Sequence, residues 1–310
     1  SGVVNIDSAT VAGTYYETIT VTDSVGATAK VALTILVNPR IVITGFSGVG
    51  TPYTTNLQLY LDASNNSSYS GSGSTWYDLS GASHNVTLAN GMSSSDFVTT
   101  PPRNFAWSGS AKYFSGSNSW LGGNDFTVSA WIKTTGGANS THYQMMTIMS
   151  AEVGGLGRDW GFGVSGTGKL AFGTGGGTDT FYQSATSVNT GQWVYVAATR
   201  KMSDGVVTLY INGVADYTSP ATNGGYTLDA NPTMLIGYGT DGAPAFNGAI
   251  GGVLAYNTVL TADQVLQNYQ AAANAYGLPG AQPGLINTTV TIPQSSVALS
   301  NTGGTGTMTF

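Results

Sequence analysis

Short alternating runs separated by turn residues fill most of this chain. Leu57, Leu59 and Leu61 alternate with Gln58, Tyr60 and Asp62, and Phe126, Val128, Ala130 and Ile132 alternate with Thr127, Ser129, Trp131 and Lys133. A period of two places each apolar set on one face of a strand. Shorter runs follow the same rule at Asn85–Leu88, Phe105–Trp107, Tyr113–Phe114, Met145–Met149, Trp160–Val164, Leu170–Gly173, Phe181–Gln183, Met234–Gly237 and Ala249–Tyr256. From Trp193 to Thr199 both faces are largely apolar, which suits an inner strand of a two-sheet sandwich. Asp204-Gly205 and Asn212-Gly213 are tight-turn dipeptides between such runs. The period changes only near the end. Thr261 and Gln264 form a Thr-x-x-Gln capping box, Val265, Leu266 and Tyr269 share one helical face, and Gly277 with Pro279 marks the stop. The pattern predicts an all-β fold closed by one C-terminal helix.

The two ends carry separate patterns. Tyr15, Glu17, Ile19 and Val21 form one alternating series, Asp23-Ser24-Val25-Gly26 a turn, and Val31, Leu33, Ile35 and Val37 a returning strand. This 1–39 segment resembles the last two strands of an immunoglobulin-like or cadherin-like repeat, which needs about seven strands and about 100 residues to be complete. Residues 40–56 read as a linker with a short strand at Arg40–Phe46, and 279–284 as a second, Pro/Gly-rich linker. Leu285–Ile292 and Val297–Leu299 read as opening strands of a further β domain over 285–310. With closing strands first and opening strands last, and with Ser1-Gly2 in place of an initiator Met, two expectations stand: a piece of a longer repeat array, or ends that pair between subunits by strand addition.

Composition narrows the function classes. Charged residues are 8% and Gly numbers 44, yet hydrophobic residues reach 41% and aromatics 11%; a disordered chain lacks that much apolar surface. The net charge of −6 and only 9 scattered basic residues exclude nucleic acid as an expected partner. No apolar run has the roughly 20 residues of a membrane-spanning helix. The absence of Cys rules out a disulfide scaffold and thiolate zinc sites.

The ordered set of Leu59-Tyr60-Leu61-Asp62-Ala63, Trp76-Tyr77-Asp78-Leu79-Ser80-Gly81, Phe126–Lys133, Gln192–Ala197, Leu209–Val214 and the closing strand and helix from Gly248 to Leu278 resembles laminin-G-like, concanavalin A-like jelly-roll domains. The likeness implies a central two-sheet jelly roll over 57–278, flanked by the partial immunoglobulin-like segments, of the kind carried by bacterial surface proteins and phage virions. Relatives such as pentraxins place calcium on a rim between two loops. Here those loops carry Gly157-Arg158-Asp159-Trp160 and Tyr238-Gly239-Thr240-Asp241, so the resemblance implies calcium with Asp159 and Asp241 as ligands. Two carboxylates with carbonyls and water make a weak site, of about 10⁻⁴–10⁻³ M; the alternative is two turn-forming Asp residues beside Gly.

Saccharide binding is expected from aromatics beside Gly-rich turns: Trp160, Trp120, Tyr238, Trp76 and Tyr182. Exposed ring faces stack on sugar C–H surfaces while Asn and Asp bond hydroxyls. Trp131 and Trp193 lie inside strands and are expected to pack. Catalysis is disfavoured. A retaining glycosidase needs paired carboxylates about 5 Å apart, and the only Glu residues are Glu17 and Glu152, the first outside the jelly roll and the second alone in a loop. No Gly-x-Ser-x-Gly or His-Glu-x-x-His pattern occurs. The expected protein is therefore a non-catalytic extracellular surface protein, for adhesion or for cell-surface or virion-surface assembly with neighbouring copies of itself. The alternative is a lectin-like glycan-binding module, with a glycoside-active enzyme third.

Overall fold

The computed structural model describes residues 13–22, 28–37, 50–155, 157–240 and 243–278. The chain divides into two units, the larger spanning Val49–Gln282. Outside it, β1 (Gly13–Thr22) and β2 (Thr28–Val37) form an antiparallel hairpin in continuous register, from Gly13 opposite Val37 to Thr22 opposite Thr28. The alternation around Asp23–Gly26 thus marks one hairpin, and nothing described completes an immunoglobulin-like sandwich around it. The strands expected at Arg40–Phe46 and within 285–310 lie outside the described residues.

In the larger unit the strands are, in chain order, β3 (Leu57–Asp62), β4 (Thr75–Trp76), β5 (Val86–Ala89), β6 (Phe97–Val98), β7 (Asn104–Ser108), β8 (Tyr113–Ser117) and β9 (Phe126–Lys133). There follow β10 (Met146–Ser150), β11 (Trp160–Val164), β12 (Lys169–Thr174), β13 (Thr180–Ser187), β14 (Trp193–Arg200), β15 (Val207–Ile211), β16 (Val214–Thr218), β17 (Thr233–Ile236) and β18 (Asn247–Tyr256). They make two eight-stranded antiparallel sheets. One runs β13-β12-β11-β10-β17-β8-β5-β4, the other β16-β15-β14-β9-β18-β7-β6, with β3 also paired to β18. This is the all-β jelly-roll sandwich that the alternation and the ordered motifs predict.

Strand β9 shows how the pattern becomes packing. Phe126, Val128, Ala130 and Ile132 enter the core between the sheets. The opposite face, Thr127, Ser129 and Trp131, is also buried, because α1 (Ala262–Ala272) and the turn before it cover the outer surface of this sheet. Thr127 serves that cover directly: its hydroxyl donates to the Thr258 carbonyl at 2.8 Å and accepts from the Leu260 amide at 3.0 Å. The helix begins as predicted, with the Thr261 side chain taking the Gln264 amide and the Gln264 side chain taking the Thr261 amide. A short 3-10 turn extends it to Tyr276, and Gly277 ends it at φ 71°, in the left-handed region.

The seam beneath the helix depends on one missing side chain. Tyr276 stacks on Trp131 with centroids 4.2 Å apart and planes 11° apart, and its hydroxyl lies over Gly251. A Cβ at Gly251 would meet that hydroxyl and approach ring carbon Cε1 to 2.6 Å. Gly251→Ala is therefore expected to cost about 1–3 kcal/mol by forcing the ring off the stack, read as a lower urea midpoint with an unchanged slope. A midpoint equal to that of the parent protein would show that Tyr276 yields freely.

Candidate functional site

The aromatic residues expected to stack on sugars do not share a surface. Trp160 and Trp76 are fully buried. Trp160 packs against Phe126 and Phe172 at 5.4 and 6.3 Å and donates to Asn118 Oδ1 at 3.3 Å. Trp76 lies 4.9 Å from Phe105 and 5.0 Å from Phe114. Their ring faces are closed to a ligand. The expectation fails for them because these strands are so short that a residue beside a Gly turn still points between the sheets. Trp120, Tyr238 and Tyr182 are half-buried, and each already lies beside another ring: His84 at 4.5 Å, Tyr113 at 5.7 Å and Tyr217 at 6.1 Å. Tyr182 is on β13 at one edge of its sheet, whereas Tyr238 follows β17 and Trp120 follows β8, further across it.

Of the two expected metal ligands, Asp241 lies outside the described residues. Asp159 sits just before β11 and meets two residues not expected as ligands, His142 from the β9–β10 connection and Glu152 just after β10. One ligand atom from each lies within 4.8 Å of the others, and the three residues are 8%, 5% and 1% exposed in the order His142, Glu152, Asp159. Glu152 is thus not alone in its loop. Asp159 is fixed by backbone amides, with Val153 donating to Oδ2 and Gly175 to Oδ1, both at 3.1 Å. The His142 ring lies between two carboxylates: Nε2 is 3.8 Å from Glu152 Oε2 and Nδ1 is 3.8 Å from Asp179 Oδ2. A cleft of about 200 Å³ opens beside them. Glycines make the space. A Cβ on Gly175 would collide with Asp159 Oδ1, and one on Gly173 would collide with His142 Cβ. The run of glycines after Ala171 was the available signal, since Gly within a strand often marks close approach by another group.

A larger cleft, about 550 Å³, opens between the outer face of the helix-covered sheet and the helix end. Tyr60 and Asp62 from β3, Asn65 and Asn66 from the following loop, Trp131 from β9 and Asn268 from α1 line it. The alternation that sends Leu59 and Leu61 into the core turns Tyr60 and Asp62 to this outer side. Burial raises Asp62 above the usual carboxylate range, opposed by the Ser64 amide, the Tyr60 hydroxyl and the charge of Arg103. Burial, with the neighbouring Asp62 charge, pushes Tyr60 up to about 12. Burial also raises Tyr276 well above the phenol range, with Asp62 and Tyr60 adding to the effect. Arg103 braces the rim, donating to Asn66 Oδ1 at 2.6 Å and to the Tyr69 carbonyl at 3.2 Å. Among the described residues Trp131 Nε1 and Asn268 Nδ2 have no hydrogen-bond partner within ordinary geometry; each residue is only 2% exposed, and the Asn268 side chain also reaches the buried Tyr195 hydroxyl. Asn268 is nevertheless fixed, because its Oδ1 accepts from the Tyr53 amide at 2.8 Å and the Tyr256 hydroxyl at 3.1 Å.

A laminin-G family model, described as the concanavalin A-like lectin/glucanases superfamily, matches residues 108–266, just over half of the 310 residues. No curated protein matches the sequence significantly. Among solved structures, the binding domain of Paraclostridial Mosquitocidal Protein 1 is similar with a TM-score of 0.54 at 15% identity, over 73% of this chain and 56% of that one. The binding domain of botulinum neurotoxin serotype D/C gives 0.51 at 16%, over 70% and 52%. Domain 4 of an extracellular arabinanase from Geobacillus stearothermophilus, solved with arabinotriose, gives 0.48 at 18%, over 69% and 98%. The chain thus spans about half the length of the two toxin binding domains, and at these identities the likeness is one of fold.

Proposed function

Since the chain belongs to the concanavalin A-like lectin/glucanases superfamily, we propose that its sandwich is a non-catalytic module that binds neutral oligosaccharide in the cleft beneath the helix. The observation that carries this reading is the cleft itself, whose wall sets the Asp62 carboxylate and the Tyr60 ring beside Trp131, Asn65 and Asn66. Saccharide hydroxyls both accept and donate, so one sugar can donate to the Asp62 carboxylate while its C–H face lies against the aromatic wall. Asp62 and the net charge of −6 disfavour sialylated or uronic ligands.

The cleft has one carboxylate where glycoside hydrolysis uses two. Glu152 and Asp159 approach each other as closely as a retaining pair, but they are 5% and 1% exposed and Asp159 already accepts two amides. Among the described residues no helix is long and apolar enough to cross a membrane. Work outside the cell, on a cell or virion surface, is the setting this reading implies. Assembly through the chain's ends would involve the 285–310 segment, which lies outside the described residues.

Titration calorimetry against a panel of neutral and acidic oligosaccharides tests the proposal. A neutral member should bind, and Asp62→Asn should weaken it about tenfold or more, the value of a hydrogen bond to a charged group. Because burial raises Asp62, the folded state favours its protonated form. Stability is greatest below the unfolded carboxylate pKa and declines as pH rises through the folded one, so Asp62→Asn should not melt earlier than the parent protein at neutral pH. Equal affinity in the variant, or release of shorter sugars by the parent, would sink the reading.

A further inference from the structure

We propose that His142, Glu152 and Asp159 form a site for a divalent transition metal of the zinc class, which ties together the loops around β10 and β11. This site is separate from the saccharide cleft and does not rest on it.

The donor set selects the metal. Calcium takes six to eight oxygens, whereas an imidazole with two carboxylates suits zinc and its first-row neighbours. Three protein ligands leave a fourth position, and the small cleft beside them supplies the space. Ligand bonds of about 2.0–2.2 Å place tetrahedral neighbours roughly 3.4 Å apart. The 3.8 Å between His142 Nε2 and Glu152 Oε2 is near this value, and the 4.8 Å limit of the set leaves at most about 1.4 Å to close.

Burial supplies a second, independent reason. His142 is 8% exposed, yet the carboxylate oxygens nearest its ring nitrogens are 3.8 Å away, beyond hydrogen-bond length. Two buried carboxylates side by side repel each other, and a divalent cation offsets that repulsion better than a single imidazolium. The amides of Val153 and Gly175 take one lone pair on each Asp159 oxygen and leave others for a metal. Asp179, at the mouth, stands on the far side of the ring beside Nδ1. Brought closer by about an ångström, it would take the place from which an outer carboxylate orients a ligating histidine. The clearance at Gly173 and Gly175 lets both side chains in.

The probes are ZnCl₂ and CaCl₂ added to the EDTA-treated chain. Zinc should raise the melting midpoint in proportion to the logarithm of its concentration, and cobalt(II) should give visible absorption bands of a four- or five-coordinate site. His142→Gln should abolish both. Asp179→Asn, at an exposed position, should weaken zinc about tenfold while leaving the metal-free melting point unchanged. A response to calcium alone, no response to either ion, or zinc affinity retained in His142→Gln would each overturn the proposal.

Discussion

Trp160→Ala is expected to cost about 3–5 kcal/mol, a fall of about 10 °C in melting midpoint for a domain of this size. The ring fills the space between the sheets beside Phe126 and Phe172. Its indole hydrogen also goes to Asn118, whose amide donates to the carbonyls of Leu228 and Asn231 at 3.1 and 2.9 Å. Truncation opens a cavity and strips a partner from the residue that anchors the strand entering β17. Trp160→Phe should recover part of the loss by refilling the cavity. Urea unfolding of the three proteins decides the matter. A Trp160→Ala variant as stable as the parent would mean that the ring is not packed as described.

Trp131→Ala should be comparably damaging, again about 3–5 kcal/mol, but in a different place. Trp131 is the platform beneath the helix: Tyr276, Tyr195 and Tyr269 meet it at 4.2, 5.3 and 5.7 Å. Its removal should loosen α1 first, seen as faster amide hydrogen exchange from Val265 to Ala272 than in the strands of the opposite sheet. The same variant should lose saccharide affinity. Trp131→Phe separates the two roles in part, since it keeps an aromatic ring beneath the helix while removing Nε1 and some of the cleft wall. It should bind more weakly with a much smaller loss of stability. Uniform exchange across the sandwich in Trp131→Ala would contradict a seam that opens locally.

The contrast between these tryptophans shows what local pattern reveals. Phe126–Lys133 and Trp160–Val164 match the expected strands residue for residue, and the capping box at Thr261 and Gln264 forms as read, because alternation and caps are near-neighbour effects. The two-residue strands Thr75–Trp76 and Phe97–Val98 are too short to show a period. Trp76 and Trp160 are buried although glycine turns flank them, because such glycines say where the backbone bends, not which way the next ring faces. The candidate sites were hidden for a further reason. Asp62 and Asn268 lie more than 200 positions apart in the chain, and His142, in the β9–β10 connection, meets Glu152 and Asp159 at the two ends of the loop that the β10–β11 pairing closes.

The long strand β18 pairs with β9 along one side, and along the other with β7 through its first half and β3 through its second. Three earlier segments therefore wait for a neighbour that leaves the ribosome near the end of the domain. Until Tyr256 has emerged, the edges that will face β18 have nothing of their own to join, and at translation rates of about 5–20 residues per second that interval lasts several seconds or more. Co-translational chaperone capture should therefore concentrate on β3, β7 and β9 in nascent chains that end before Asn247.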